Sequence, residues 1–164
     1  LSGKHFITIL GIGNILMKDE GFGVHFVRWI EGRWKFPPEV EVVEGGVMGY
    51  GLLGTVCGCE RLIVVDVLKT NDEPGAVYRF TLGEIEAKLP PPASAHEVQF
   101  LDVLCKAEMI DEAPEVVFLC IVPENMEEMD MEMTPLMWEK FPVMEELLMR
   151  ELDRCGIRPE RDHA

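Results

Sequence analysis

The sequence predicts an α/β sandwich around a mostly parallel sheet, and three observations predict it. Short apolar runs alternate with segments of helical periodicity in the order β-α-β-α-β-β-α-β-α. One of those runs, Arg61–Asp66, is apolar nearly throughout, as a strand covered on both faces must be. The chain has 164 residues and no low-complexity linker, so residues 1–164 are expected to form a single domain.

Taken in order, His5–Leu10 is a short apolar strand that ends at Gly11-Ile12-Gly13-Asn14. A helix is expected from about Gly21 to Trp34, with Val24, Val27 and Ile30 on one face and Pro37-Pro38 beyond its end. Val40–Glu44 is a second strand, stopped by Gly45-Gly46. Tyr50–Cys57 reads as a short helix and Arg61–Asp66 as the third strand. Gly75–Phe80 reads as a fourth strand, and Pro90-Pro91-Pro92 forces an extended segment. Ser94-Ala95-His96-Glu97 opens a helix whose apolar stripe is Val98, Leu101, Leu104 and Cys105. Glu115–Val122 is the fifth strand, closed by Pro123. One last helix is expected from Thr134-Pro135, a cap followed by a first-turn proline, to a C′ glycine at Gly156.

Composition removes whole classes of function. Fifteen Lys+Arg against thirty Asp+Glu give a formal charge of −15, the wrong sign for nucleic acid or an anionic membrane. The longest apolar stretch, Phe6–Met17, is broken by Thr8, two glycines and Asn14 and falls short of the roughly 20 residues of a membrane span. No basic region followed by an apolar core opens the chain, so no signal peptide is expected. The five cysteines are odd in number and irregular in spacing, which fits a reduced, cytoplasmic protein. Cys57 and Cys59 lack the spacing of a redox or zinc motif and read as two thiols near a helix end. An oligomeric state is not encoded in any motif, and a monomer is the expectation.

The glycine-rich loop after the first strand is not a dinucleotide fingerprint. Its third glycine would fall at Leu16, the helix starts too late, and no phosphate-binding GxxxxGK[ST] occurs. Instead the loop carries Asn14, Asp19 and Glu20. The second strand ends at Glu44 and the third at Asp66. Parallel strands bring such ends to one edge, where ligands of open α/β sheets bind. Carboxylates gathered there need a cation, a shared proton or a basic partner. His96 falls in the first turn of its helix, behind the S-x-x-E box of Ser94 and Glu97, where the positive helix end keeps the imidazole neutral. Two carboxylates and one imidazole suit Ni²⁺, Zn²⁺ or a similar cation with positions left open. Serine chemistry is poorly supplied: the two serines are Ser2 and Ser94, and neither G-x-S-x-G nor H-E-x-x-H is present.

These residues carry a resemblance. Gly11-Ile-Gly13-Asn14-Ile-Leu-Met-Lys-Asp19-Glu20-Gly21-Phe-Gly23-Val resembles the N-terminal signature of the hydrogenase maturation proteases. The likeness continues through Glu44-Gly45-Gly46, Leu62-Ile-Val-Val-Asp66, Pro74-Gly75, Ser94-Ala-His96-Glu, Leu101-Asp-Val-Leu104, Val122-Pro123-Glu124 and Thr134-Pro135, over nearly the whole chain. The resemblance implies a three-layer α/β/α sandwich with a five-stranded sheet, order 2-1-3-5-4, the fourth strand antiparallel. It implies an endopeptidase that recognises nickel already installed in the precursor of a hydrogenase large subunit and removes a short C-terminal extension. Glu20, Asp66 and His96 would be the catalytic and metal-recognising residues, with nickel supplied by the precursor or another divalent cation in its place. Asn14, Asp19, Glu44, Gly45 and Gly46 would line the substrate.

Two features depart from the family pattern. Glu44-Gly45-Gly46-Val47 stands where Asp-Gly-Gly-Thr is usual, one methylene longer and without the hydroxyl. The stretch Glu124–Met133 is rich in methionine and acid and reads as a mobile solvent loop, although methionines can also grip a peptide. The attacking group is expected to be a water activated by the metal or by an acid such as Glu44. The rival reading, with the same ligands, is a non-cleaving chaperone that escorts metal or precursor.

Overall fold

The computed structural model describes residues 5–88 and 95–163, without the side chains of Ala87, Lys88 and His96. Five strands form one sheet: β1 (His5–Ile12), β2 (Val40–Gly46), β3 (Cys59–Val67), β4 (Val77–Thr81) and β5 (Glu115–Ile121). Their spatial order is β2-β1-β3-β5-β4. All neighbours are parallel except β4, which runs antiparallel to β5. The expected order and its one reversed strand are both present.

The three central strands, β1, β3 and β5, are buried on both faces because helices cover both. Ile7, Ile9, Ile63, Val65 and Leu119 point to one side, where α1 (Phe22–Glu31) and α6 (Phe141–Arg154) bring Phe22, Phe26, Phe141, Met144 and Leu148. Leu10, Ile12, Leu62, Val64 and Phe118 point to the other, against Val56 of α2 (Leu53–Cys57) and Phe100, Val103 and Leu104 of α4 (Ala95–Met109). Each buried side chain of this size contributes about 1.5–3 kcal/mol, so the two apolar layers hold the three-layer fold together.

Gly23 sets how closely α1 can lie on the sheet. A Cβ there would collide with the carbonyl oxygens of Val65 and Ile12. Only glycine lets the start of the helix rest on β1 and β3 beside their carboxyl ends.

Several expected boundaries shift. The helix expected from Gly21 begins at Phe22, after a 3₁₀ turn at Lys18–Gly21, and ends at Glu31. Trp34–Lys35 instead pair antiparallel with Glu160–Arg161. The helix expected over Tyr50–Cys57 is a 3₁₀ turn, Gly49–Leu52, running into α2. The fourth strand starts at Val77 because Gly75, at φ +89°, sits in the preceding turn. A short helix, α3 (Leu82–Lys88), follows it where no helix was expected. The expected stripe of α4 is displaced: Val98 and Cys105 are exposed, and Phe100, Val103, Leu104 and Ala107 face the core. Those four fall at i, i+3, i+4 and i+7 and carry the larger apolar side chain, Phe100.

The last helix is two helices, α5 (Pro135–Glu139) and α6, with the break at Lys140. Pro142 causes it, since its ring cannot continue a helix running from α5. The C-terminal stop is as expected. Gly156 has φ +76°, its N–H donates to Asp153 and that of Ile157 donates to Leu152, a Schellman cap. Ser94 and Pro90–Pro92 lie outside the described residues. Among the described residues no helix is long and apolar enough to cross a membrane.

Candidate active site

The carboxyl edge of the sheet is where the acids meet. Asp66, the next-to-last residue of β3, is only 6% exposed, and Glu20, in the 3₁₀ turn that precedes α1, 8%. Gly13 brings the two together. Its φ of +127° is closed to other residues, and a Cβ there would fall on the Glu20 carbonyl oxygen and lie 3.8 Å from Asp66 Oδ1. The loop therefore folds back until the Glu20 backbone and the Asp66 carboxyl flank one glycine.

Burial raises the pKa of Asp66 well above the usual carboxylate range, and the charges of Glu97 and Glu20 push it further. The Val67 N–H, donating to Asp66 Oδ1 at 2.8 Å, opposes the shift without cancelling it. Cys120 pairs with Asp66 across β3 and β5; burial chiefly, then the charges of Asp66 and Glu97, hold its thiol protonated. A buried acid among acids holds a proton or attracts a cation.

Glu97 is a neighbour of the acids that sequence reasoning missed. The S-x-x-E spacing suggested a helix cap, yet its charge acts on both Asp66 and Cys120 from the first turn of α4. Its place next to His96 was the available signal. The backbone of His96 lies in that same first turn, at the same sheet edge; its side chain lies outside the described residues. Among the described residues no three metal-binding side chains gather around one point.

The remaining candidates divide. Asp19, expected at the substrate, is fully buried and serves the fold instead. Its Oδ2 accepts the N–H groups of Glu124 and Asn125, both at 2.9 Å, and its Oδ1 accepts the N–H of Thr134 at 2.8 Å. The Thr134 hydroxyl donates to the same carboxylate, so it does not cap α5 as expected. Glu44 is exposed on the edge strand and pairs with Arg28 of α1. Asn14 Oδ1 accepts the N–H of Leu16, which shapes the loop ahead of Glu20. Gly45 is buried against Leu10, and the Gly46 carbonyl accepts the N–H of Gly13, so this pair supports the turn beside the acids.

A mostly parallel α/β sheet with buried carboxylates at its carboxyl edge defines the class: an α/β protein with an acid-lined ligand site. Comparison with known proteins narrows it. The profile of the hydrogenase maturation protease family (HycI) matches residues 24–151. The hydrogenase 2 maturation protease of Escherichia coli K12 is 33% identical over 123 residues, which cover 74% of this chain and 75% of that protein. The hydrogenase expression/formation protein HoxM of Cupriavidus necator is 33% identical over 129 residues, but the match spans 61% of its greater length. The hydrogenase maturating endopeptidase HybD from E. coli superposes with a TM-score of 0.89 at 28% identity, covering 95% of this chain and 97% of the other. The chain belongs to the hydrogenase maturation protease family and is a hydrolase of the endopeptidase type.

Proposed function

We propose that this endopeptidase cleaves the C-terminal extension from the nickel-bearing precursor of a hydrogenase large subunit, and that Glu20, Asp66 and His96 engage the nickel the precursor carries. One observation supports the reading above others: Asp66 is buried, with Glu20 and Glu97 acting on it as further negative charges. A cation presented by a substrate relieves that repulsion, and the bound proton leaves as it arrives. The protein then discriminates loaded from empty precursor, because only the loaded one compensates the acids.

Glu20 and Asp66 anchor the metal-bearing end of the substrate, and His96 supplies the imidazole. Asn14, Gly45 and Gly46 shape the loops along which the extension would lie. One carboxylate of the acid pair accepts the proton of the attacking water, since the Glu44 carboxylate, expected as an alternative, is held at the surface by Arg28. The free cysteines of the described chain suit a reducing compartment, and we place the protein in the cytoplasm. The family relationship favours cleavage over a chaperone role that binds without cutting.

Incubating the pure protein with nickel-loaded precursor and weighing the products tests the reading. A precursor shortened by its C-terminal extension is expected, with no loss from nickel-free precursor. Asp66→Asn and His96→Ala should each remove the activity with the fold retained. Normal processing by either variant would overturn the assignment of that residue.

A further inference from the structure

The acidic methionine segment is explained neither by the acid pair nor by core packing. From Glu124 to Met133 the chain carries five acids, four methionines and no cation. Met133 is buried in the core and Met126 packs against its margin. Met129 and Met131 stand 83% and 60% exposed. In a free loop they would mean little, since isolated exposed apolar side chains are ordinary.

This loop is held, contrary to the mobile segment expected. The Asp130 N–H donates to the Leu16 carbonyl at 2.9 Å, and the Lys18 N–H donates to the Asp130 carbonyl at 2.8 Å. The Asp19 N–H donates to the Asn125 carbonyl at 3.0 Å, and the Asp19 carboxylate holds the loop from the other side. The parallel pairing of Met17 with Asp130 runs the backbone that carries Met129 and Met131 alongside that of Leu16, itself 49% exposed. Three exposed apolar residues thus stand on two paired stretches, one of which continues to Glu20. Glu127, Glu128, Asp130 and Glu132, all exposed, flank the two methionines along the chain, and the neighbouring Lys18 is already engaged with Glu128 and Asp130.

We propose that this strip is the docking surface for the body of the large-subunit precursor, and that it receives a patch where apolar side chains are flanked by lysines or arginines. The inference rests on the precursor reading above and deepens it. Charge complementarity selects the occupant: acids around an apolar centre favour a basic rim and repel an acidic one. Continuity selects the place, because residues 14–20 join the strip to the acid pair. Methionine suits the task, since its unbranched, polarisable side chain adapts to a partner's contour. Docking here would hold the precursor while its metal-bearing end reaches Glu20 and Asp66.

The test is steady-state processing of nickel-loaded precursor, followed by mass, from about 50 mM to about 300 mM salt. Met129→Ser with Met131→Ser should raise KM tenfold or more and leave kcat within twofold, because these side chains touch the precursor away from the scissile bond. Glu127→Lys with Glu132→Lys should raise KM and flatten its rise with salt. All four side chains are exposed, so an unchanged melting temperature should accompany both effects. If wild type cleaves and both variants keep its KM within twofold, the docking surface is overturned and the protease reading stands. If wild type leaves the precursor intact, the protease reading falls and this inference with it. A wild-type dimer in light scattering that becomes monomeric with the methionine variant assigns the strip to self-association and likewise overturns it.

Discussion

Thr134 gives both its backbone N–H and its hydroxyl to the carboxylate of Asp19, 115 residues earlier in the chain. This contact ties the start of α5 to the turn that carries Glu20, and both ends are buried. Hydrogen bonds to a charged acceptor are worth about 1.5–3 kcal/mol each. Thr134→Val keeps the shape and the N–H bond but removes the hydroxyl. It should lower stability by about 2 kcal/mol, or about 4–8 °C in melting temperature for a chain of this size. A double-mutant cycle with Asp19→Asn should give a coupling of about 1–3 kcal/mol in urea melts. Additive effects would mean that the two residues act separately.

Asp66 offers the opposite trade. Its pKa is raised in the fold by burial and by Glu97 and Glu20, so the folded state holds the proton more tightly than the unfolded chain. The stability linked to that proton is full below the unfolded value, about 3.9, and is lost as pH rises toward the folded value. Asp66→Asn keeps an acceptor for the Val67 N–H and removes the charge. At pH 7 the nickel-free variant should be more stable than wild type by about 1–2 kcal/mol, with processing abolished. At pH 3 the difference should vanish. A variant less stable at both pH values would show that the acid supports the fold.

How far this site was legible in the sequence depends on what each residue needs to declare itself. Strand runs such as Leu62–Val65 need only local composition, and parallel strands deliver their ends to one edge, so Asp66 and the Glu20 loop could be placed together. Asp19 and Glu20 could not be told apart: they are neighbours with the same charge, and the one turned inward for structure is chosen by Thr134, far along the chain. Glu44 matched a strand-end pattern, but β2 is an edge strand and Arg28 holds its carboxylate on the surface. The stripe of α4 was misplaced because Val98, Leu101 and Cys105 form a second apolar series beside that of Phe100, Val103 and Ala107. Periodicity cannot choose between two such series without the sheet they pack on.

A second buried acid should respond to pH with the opposite sign. Glu151 of α6 is 1% exposed and meets Arg79 at 2.7 Å, Arg154 at 3.2 Å and Arg61 at 3.5 Å. Burial pushes its pKa upward, but the bonds and charge of Arg79, with Arg154 and Arg61, outweigh that and leave it lowered. Its contribution is therefore present above the unfolded value, about 4.3, and lost as pH falls through the folded one. Glu151→Gln removes the anion that three partly solvated guanidinium groups share, of which Arg61 keeps Glu115, and should cost about 1–3 kcal/mol at pH 7. The cost should shrink on acidification, as chemical denaturation at pH 7 and pH 3 would show. A cost independent of pH would point to packing rather than charge.

Two glycines should answer the same substitution with opposite signs. At Gly13, φ is +127° and a Cβ would strike the Glu20 carbonyl, which is backbone and cannot swing aside. Gly13→Ala must strain its own dihedral and displace the Glu20 turn, so about 2 kcal/mol or more of stability should be lost together with processing. At Gly54, exposed within α2, a Cβ would meet nothing within 4 Å. There alanine removes unfolded-chain entropy without cost to the fold, and Gly54→Ala should add about 0.5–1 kcal/mol, or about 2 °C. Because Gly54 is exposed and a Cβ there touches none of the site residues, its variant should process precursor at the wild-type rate. Equal melting temperatures for the two variants would show that the loop at Gly13 relaxes without disturbing Glu20, and the geometric link between the acids would fail with it.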